Sequence, residues 1–600
     1  MRNPFILLDD GRDPDGADPA PARLYEAPDE IFVAHAGEDV VAALDAAEAA
    51  RRRGRHVVGY LSYEAGLALE PKLAPRLSPE DGRAPLVWMA AFEHYREIDA
   101  DAVADWLAGQ VSAEAGPPLL SAMRPAIERE AYDAGFSQVI DAIRAGEIYQ
   151  ANLTFPLEGR WAGDPLAIYA GLRARAAAGY GALVFDGERH VLSLSPEMFF
   201  ALKGERITLR PMKGTRPRSS DAAADAALAA ELAASEKDRA ENLMITDLMR
   251  NDVSRLAVPG SVEVENPFAI ESYPTVHQMV STVRARISPG LGAFDLLRTI
   301  FPCGSITGAP KIRAMEWIDT IELTPREVYC GAIGRVDPDG DAAFNVAIRT
   351  LTLSGQGGGE ARMGVGSGIV ADSDAADEWA ECLVKGSFVA GVGDTVRLIE
   401  TMAFDPAVGV PLIETHLERL KRSAAELGFS LDRHALRNEI QAFCFLNRNP
   451  RRLRVLVAFD GSWEIEGSEM PEALPDPVPA MIVPLGIAPD DWRLRHKTTD
   501  RGFYDEARHK AEAAGAREAV LIREDGRITE GSFTNIFVER DGVLLTPPAS
   551  LGLLPGVLRA TLIAEGRARE CELFADDLAD GFLIGNALRG LIPARLIAQD

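Results

Sequence analysis

Two spacings of apolar residues recur along the chain, and each predicts a kind of element. Phe136, Val139, Ile140 and Ile143 recur at helical intervals within 132–145, and Gly146 follows as a stop. Ala-rich stretches at 41–50, 174–178 and 221–234 predict further helices, because Ala is the best helix former. VVGYLSY (57–63) is short, apolar and rich in β-branched and aromatic residues, which predicts a strand. AFNVAIRTL (343–351) alternates. As one strand it puts Phe344, Val346 and Ile348 on one face and Asn345, Ala347 and Arg349 on the other, so Arg349 points away from the apolar side. Residues 415–428 predict a helix with Leu417, Leu420, Ala424 and Leu427 as its stripe, Arg419 off it, and Thr415 with Glu418 as a capping box. Helices and strands mix throughout, which predicts α+β or α/β layers.

Pro/Gly-rich breaks fall near 116–125 and 354–360, and the acidic, Pro-rich run 464–480 reads as a linker. At roughly 100–200 residues per domain, 600 residues imply about three to five domains. Hydrophobic content of 47% and charged content of 26% exclude a coiled coil or a disordered tail. A net charge of −28 argues against nucleic acid as the main partner. The five cysteines form no C-x-x-C pair, which suggests neither zinc nor a disulfide framework and fits a reducing cytoplasm. The opening segment MRNPFILLDDGRDPDG has an apolar run too short for a signal-peptide core. No run reaches the roughly 18 apolar residues of a membrane span.

Two clusters carry candidate chemistry. LRPMKGTRPR (209–218) gathers Arg210, Lys213, Arg216 and Arg218 in a stretch that Pro211, Gly214 and Pro217 mark as a turn. It is either a solvated basic loop or a site for a small anion. In 235–252, Lys237 and Glu241 are i,i+4 neighbours; in 376–386, Glu378 and Glu381 share a helical face with Lys385 one turn on. These are either salt-bridged surface helices or carboxylates for a hard cation such as Mg²⁺, which takes one or two carboxylates plus water and an anionic substrate.

The runs GYLSYEAG (59–66), GEIYQANLT (146–154), SLSPEMFF (193–200), PMKGTRPR (211–218), EKDRAENLM (236–244), FPCGSITGAPK (301–311), FNVAIRT (344–350) and GSGIVADS (366–373) resemble the chorismate-utilising enzymes. The likeness is strongest to the aminodeoxychorismate synthase component I branch. It implies an α/β sandwich, with 1–120 as its N-terminal part and 121–390 as the catalytic domain. It also implies that Glu241 and Glu381 hold Mg²⁺, with Glu378 as a water-mediated helper. Tyr329 and Arg349 would grip the enolpyruvyl carboxylate, and the loop of Gly366 and Gly368 would approach the substrate with backbone N–H groups. Glu197 would be the general acid for the departing 4-hydroxyl, and His277 an active-site histidine. Anthranilate synthases carry Ala where Lys213 stands. The lysine implies addition of its amine at C2, with ammonia then entering at C4. Lys213 should be deprotonated by like-charge repulsion from the neighbouring arginines. The family's glutaminase elbow, G-x-C-x-G, is absent, so a separate glutamine amidotransferase subunit or free ammonia is expected.

Past residue 395 only Lys421, Lys497 and Lys510 remain. The first and last lie in polar helical segments, whereas Lys497 ends the strand-like WRLRH before the cap-forming Thr498, Thr499 and Asp500. RLIETM (397–402), THLERLKRSA (415–424), RHKTTDRGFY (495–504), GRITEGSFTNIF (526–537), LPGVLR (554–559) and GNALRGLIP (585–593) resemble fold-type IV, class IV aminotransferase-like enzymes, and among them aminodeoxychorismate lyase. The resemblance implies two α/β subdomains, 396–480 and 481–600, and pyridoxal 5'-phosphate. Lys497 would be the Schiff-base lysine and Glu530 the partner of the pyridine nitrogen. Arg419, Val557, Leu558 and Asn586 would hold the phosphate, the two at 557–558 through N–H groups opening a helix. Many transaminases carry Thr at the position of Leu558. A homodimer through this half is expected. The expectation is a bifunctional cytoplasmic enzyme making 4-aminobenzoate. The alternatives are an anthranilate synthase component in the first half, and a D-amino-acid or branched-chain-type transaminase in the second. A non-catalytic chorismate-binding subunit would have lost Glu197, Lys213, Glu241, Glu381 and Lys497, all of which are present.

Overall fold

The structure is a computed structural model and describes residues 3–12, 19–77, 84–111, 116–273, 276–392 and 396–597. It divides into two compact units. Residues 1–110, 122–160 and 165–390 form the first; residues 111–121 and 161–164 belong with 391–600 in the second. No helix among the described residues is long and apolar enough to cross a membrane. The apolar run of the opening segment is the strand Phe5–Asp9, and residues 13–18 lie outside the described residues.

The first unit is built on two large antiparallel sheets. One runs in the order 150–162, 358–369, 350–354, 189–195, 180–185, 5–9, 22–26. The other runs 212–217, 276–286, 206–209, 198–203, 342–345, 332–336, 56–61, 87–92, 30–34. Residues before 120 contribute to both sheets, with Phe5 opposite Phe185 and Leu61 opposite Ala332. No boundary therefore separates 1–120 from 121–390 in the pairing. Strand Val87–Phe92 shows why its sequence is apolar without interruption. Val87, Met89 and Ala91 enter a core shared with helices such as Val40–Arg52, while Trp88, Ala90 and Phe92 enter one shared with the other sheet. A strand covered on both faces has no reason to alternate in polarity.

Residues 343–351 are not one strand. Ala342–Asn345 belongs to one sheet and Thr350–Ser354 to the other, and the chain crosses between them with Arg349 at φ 48°. Strands Arg189–Ser195 and Met198–Lys203 are likewise in different sheets, so Glu197 lies on a second crossing. Val346 N–H donates to the carbonyl of Glu197 (3.0 Å), and Ser195 Oγ donates to the carbonyl of Val346 (2.6 Å). The two crossings are thereby tied together.

The second unit contains a three-stranded antiparallel sheet (398–404, 451–457, 463–468) with helices Ile413–Leu427 and Arg433–Leu446. A mixed eight-stranded sheet follows between 478 and 596. The expected linker is shorter than read: Trp463–Ser468 and Val478–Pro484 are strands, leaving 469–477 irregular. Helix Ile413–Leu427 begins before Thr415, so Thr415 and Glu418 form no capping box; Gly428 ends it at φ 77°. Its apolar stripe is as expected, but His416, Arg419 and Ser423 are buried beside it.

Candidate active sites

Lys213 does not lie in a simple turn. Met212–Pro217 is a strand, and its pairing with Val276–Arg286 slips between Met212 (opposite Val280) and Thr215 (opposite Gln278). Two residues, Lys213 and Gly214, stand against one, Met279, which makes a bulge, and Gly214 supplies its φ of 87°. The bulge re-aims Lys213. A Cβ added at Gly368 would lie 2.5 Å from Gln150 Nε2 and 3.5 Å from the Lys213 Nζ, so the glycine makes room for the Gln150 amide, and the amine lies within contact distance of that strand. Gly366 is similarly crowded by Leu153 and Thr154. Both glycines sit on the strand Gly358–Ile369, not on a loop.

The basic island is not one anion site. Arg210 pairs with Glu271, Arg216 with Glu231 (2.9 Å) and Asp238 (3.1 Å), and Arg218 with Asp225 (2.9 Å). Lys213 has no ion pair among the described residues. Its pKa is lowered by burial and then by the charge of Lys385, while Glu241, Glu197 and Glu381 pull it back up. Arg210, Arg216 and Arg218, expected to lower it, are not among the main groups that set it. Glu197 is buried, and burial pushes its pKa to about 7 against a hydrogen bond from Ser305 and the charge of Lys213. Its Oε1 is buried without a hydrogen-bond partner. A carboxyl group so placed is still substantially protonated near neutrality.

Glu241 comes from helix Glu236–Ser254, capped by Ser235. Glu378 and Glu381 come from helix Ala375–Gly386, capped by Asp374. Burial raises Glu241, with Asp238 and Glu378 adding to the rise and Lys213 and Lys237 opposing it. Glu378 accepts from Ser373 Oγ (2.7 Å), and Glu381 pairs with Lys385 (2.7 Å), whose Nζ also reaches the carbonyl of Gly366 (3.0 Å). Among the described residues no three His, Cys or acidic side chains converge as a metal site. The donors present, Glu241 on one helix with Glu378 and Glu381 on another, fit a hard cation that takes the rest of its shell from water and substrate.

Arg349 is enclosed, and burial lowers its pKa. Burial likewise raises the phenol of Tyr329 well above its usual range, and its ring fills the space left by Gly364. His277 is held on both ring nitrogens, by Ser272 Oγ (2.8 Å) and Asp225 (3.0 Å). With both nitrogens engaged and no contact to Lys213 or Glu197, it is read as structural. Sequence reasoning assigned nothing to Gln150 and Ser305, although GEIYQANLT and FPCGSITGAPK contain them, and read Lys385 only as a neighbour of Glu381 on its helix.

The second unit holds a cavity of about 500 Å³ lined by Lys497, Arg419, Glu530, Val557 and Asn586, among others. That is the size of a cofactor cleft. Lys497 ends no strand: Trp492–Leu494 is a 3₁₀ turn, and the extended stretch after it bridges Leu398 through Thr498. Burial, then Arg419, Arg501 and Arg454, lower the Lys497 amine to about 7 against Glu400. Lys421 and Lys510 are exposed. Burial lifts Glu530 to about 8 even though Tyr504 Oη and Leu554 N–H (3.0 Å) both donate to its Oε1. A cationic ring nitrogen beside it would favour the carboxylate form.

Helix Val557–Ala564 opens on the cavity behind Gly556, where a Cβ would fall 1.9 Å from Asn535 Oδ1. Leu558 does not line the cavity; its side chain packs against Phe537, Leu544 and Leu562. The Asn586 side chain donates to the Phe533 carbonyl (3.2 Å) and accepts from the N–H groups of Leu588 (3.0 Å) and Arg589 (2.9 Å), which makes it a fastener of this wall. An enclosed amine, a buried carboxylate opposite polar donors, and a helix N-terminus with a buried arginine fit pyridoxal phosphate.

The chorismate binding enzyme family matches residues 4–391, and the class IV amino-transferase family matches 397–597. Aminodeoxychorismate synthase component 1 of Salmonella typhimurium is 40% identical over 340 residues, which are 55% of this chain and 74% of that protein. Anthranilate synthase component 1 of Haloferax volcanii is 41% identical over 273 residues, 45% of this chain and 52% of that protein. Among solved structures, anthranilate synthase component I from Streptococcus pneumoniae TIGR4 matches with a TM-score of 0.51 at 24% identity, over 65% of this chain and 92% of that one. The last likeness is one of fold.

Proposed function

The chain belongs to the chorismate binding enzyme family over residues 4–391, with a class IV amino-transferase region at 397–597, and on that premise we propose that it makes 4-aminobenzoate from chorismate in two steps. The first unit aminates chorismate to 4-amino-4-deoxychorismate. The second removes pyruvate. The observation that carries the reading is the Lys213 amine, bulged out of its strand, enclosed beside Gly368 and free of any ion pair among the described residues.

In the first step the neutral Lys213 amine adds at C2, the two conjugated ring double bonds each shift by one position, and the C4–O bond breaks. Glu197 gives its proton to the departing oxygen, which leaves as water. Ammonia then adds at C4 and the shift reverses, expelling the lysine amine. Arg349 and Tyr329 orient the enolpyruvyl carboxylate. Glu241 and Glu378, with Glu381 once released from Lys385, would hold Mg²⁺ against the ring carboxylate. A separate glutamine amidotransferase subunit, or free ammonia, supplies the nitrogen.

In the second step pyridoxal phosphate, when bound, supplies an electron sink at the amine-bearing carbon. Lys497 takes the proton from that carbon, the C3–O bond breaks and pyruvate departs, leaving an aromatic ring. Glu530 would pair with the pyridine nitrogen of the bound cofactor and keep it protonated.

Incubating the protein with chorismate, Mg²⁺ and ammonium should yield 4-aminobenzoate and pyruvate. Formation of 2-aminobenzoate would instead mark an anthranilate synthase, and aminodeoxychorismate without pyruvate would mark a transaminase in the second unit.

The general acid gives a separate prediction. Glu197 must be protonated to act, so kcat/KM of the amination step should decline as pH rises through about 7. Glu197→Gln should lower it by about 10²- to 10⁴-fold and remove that decline. A pH profile of the variant that keeps the wild-type alkaline limb would assign the acid elsewhere.

A further inference from the structure

Glu518 opens the strand Glu518–Ile522 and is fully buried. It is absent from the cavity wall, but the turn it holds belongs to that wall: Ser532 and Thr534 line the cavity, and so does Glu530 just before them. Ser532 donates to Glu518 Oε1 from its backbone N–H (2.8 Å) and from Oγ (2.6 Å). Ala519 N–H donates to the same oxygen (3.0 Å), and Thr534 Oγ1 donates to Oε2 (2.7 Å). Gly531 lets these groups close over the turn, because a Cβ there would fall 2.4 Å from Thr534 Oγ1 and 2.9 Å from Glu518 Oε2. The carbonyls of the turn are held as well: Arg501 Nη2 donates to that of Ser532 (3.1 Å) and Asn586 Nδ2 to that of Phe533 (3.2 Å).

The hydrogens of two N–H groups and two hydroxyls thus converge on a side chain that, when ionised, can only accept. Burial pushes this carboxyl up to about 7 against those bonds, and no cation is among the main groups that set it. A buried carboxylate without a counter-charge is costly, and neutral groups would tie a turn as well. Its charge bears on the next acid along the ladder, where Val520 stands opposite Gly531: Glu530 is lifted by burial foremost, and Glu518 adds to the rise. Tyr504 Oη and Leu554 N–H (3.0 Å) both donate to Oε1 of Glu530, and its Oε2 receives no hydrogen bond among the described residues. One oxygen of the cavity-lining acid is therefore left for a cation, while the acid behind it fixes the turn.

We propose that Glu518 is the positioning residue of Glu530: by gathering the hydrogens of Ser532 and Thr534 it fixes the turn that follows Glu530, so that Glu530 keeps Oε2 open to the cationic ring nitrogen of the cofactor. Glu518 acts through the turn and touches no cofactor atom. Its uncompensated charge, one layer behind, favours a cation at the same place. The inference rests on the reading that this cavity takes pyridoxal phosphate.

The test compares pyridoxal 5'-phosphate with its 1-deaza analogue, which keeps the aldehyde and the phosphate but has carbon in place of the ring nitrogen. Both are titrated by absorbance into the full chain stripped of cofactor, as wild type, Glu518→Gln and Thr534→Val. The first variant removes the charge; the second keeps the charge and removes one of the bonds to the turn. Wild type should prefer pyridoxal phosphate. Glu518→Gln should cut that preference about tenfold, the scale of one charge-assisted hydrogen bond, with the affinity for the analogue unchanged. Thr534→Val should cut it in the same sense by a smaller factor. A variant that has merely lost its fold weakens both ligands together, and that parallel loss in both variants would overturn the positioning role, as would an undiminished preference in Glu518→Gln. Wild type that binds both ligands equally would overturn it too. Failure of wild type to bind either ligand would instead remove the cofactor reading, and the role of Glu518 with it.

Discussion

Lys213→Ala should abolish formation of 4-amino-4-deoxychorismate while leaving the fold intact, with 2-amino product appearing in its place. Loss of 4-amino product should be on the order of 10³-fold or more, the scale seen when the nucleophile of a covalent mechanism is removed. The fold should survive because the amine makes no ion pair among the described residues and the bulge that aims it is set by Gly214 and the register slip. Removal also relieves the enclosed charge that Lys385 opposes. With no amine to occupy C2, ammonia can attack there directly, and Glu197 still stands ready to protonate the 4-hydroxyl. Lys213→Arg separates charge from nucleophilicity, since a guanidinium stays protonated. It should be as inactive as the alanine variant in the 4-amino reaction. Chromatographic separation of the 2- and 4-amino products from chorismate, Mg²⁺ and ammonium checks both. Full 4-amino activity in Lys213→Ala would end the nucleophile role and the reading built on it.

The places where sequence reasoning fell short share a cause. Local spacing placed helices at 132–145, from its apolar repeat, and at 235–252 and 376–386, from charged residues one turn apart, and the structure has them at 129–144, 236–254 and 375–386. It joined 343–351 into one strand because alternation carries no sign that the chain changes sheets midway. That change is set by tertiary pairing, and it puts Arg349 and Glu197 on neighbouring crossings. The same blindness gave Lys213 the right importance for the wrong reason. The arginines looked like its neighbours because they are close in sequence, but each is turned to a carboxylate, and the cation that bears on the amine is Lys385, 172 positions away. Buried carboxylates such as Glu400 leave no local signature. Glu400 reads as one acid in the strand Leu398–Phe404, and its burial is explained only by Arg419 and His416, which both donate to it. Leu558 shows the converse: its motif position opens the helix, while its side chain packs into the core and not onto the cavity.

Lys497→Ala is expected to stop pyruvate release and make the chain accumulate 4-amino-4-deoxychorismate. The loss should be on the order of 10³-fold or more, because in the proposed step the same amine would both bond the cofactor and move the proton. Neither remaining lysine past 395 can substitute, since Lys421 and Lys510 are exposed and absent from the cavity wall. The lowered pKa matters here: at about 7 the amine is half neutral at physiological pH, whereas a solvated lysine near 10.4 would be almost wholly protonated and unable to accept a proton. Burial and three arginines produce that state, so exogenous methylamine should restore only a small part of the rate. The amination step should proceed unchanged, because Lys213, Glu197 and Glu241 all belong to the other unit. Two measurements decide the matter. Pyruvate is followed with lactate dehydrogenase on purified 4-amino-4-deoxychorismate, and borohydride reduction followed by denaturation asks whether cofactor stays attached to the chain. Wild type should retain it and the variant should not. A variant that releases pyruvate at the wild-type rate would show that the enclosed amine is a bystander, and the proposed role of the second unit would have to be rebuilt around another group.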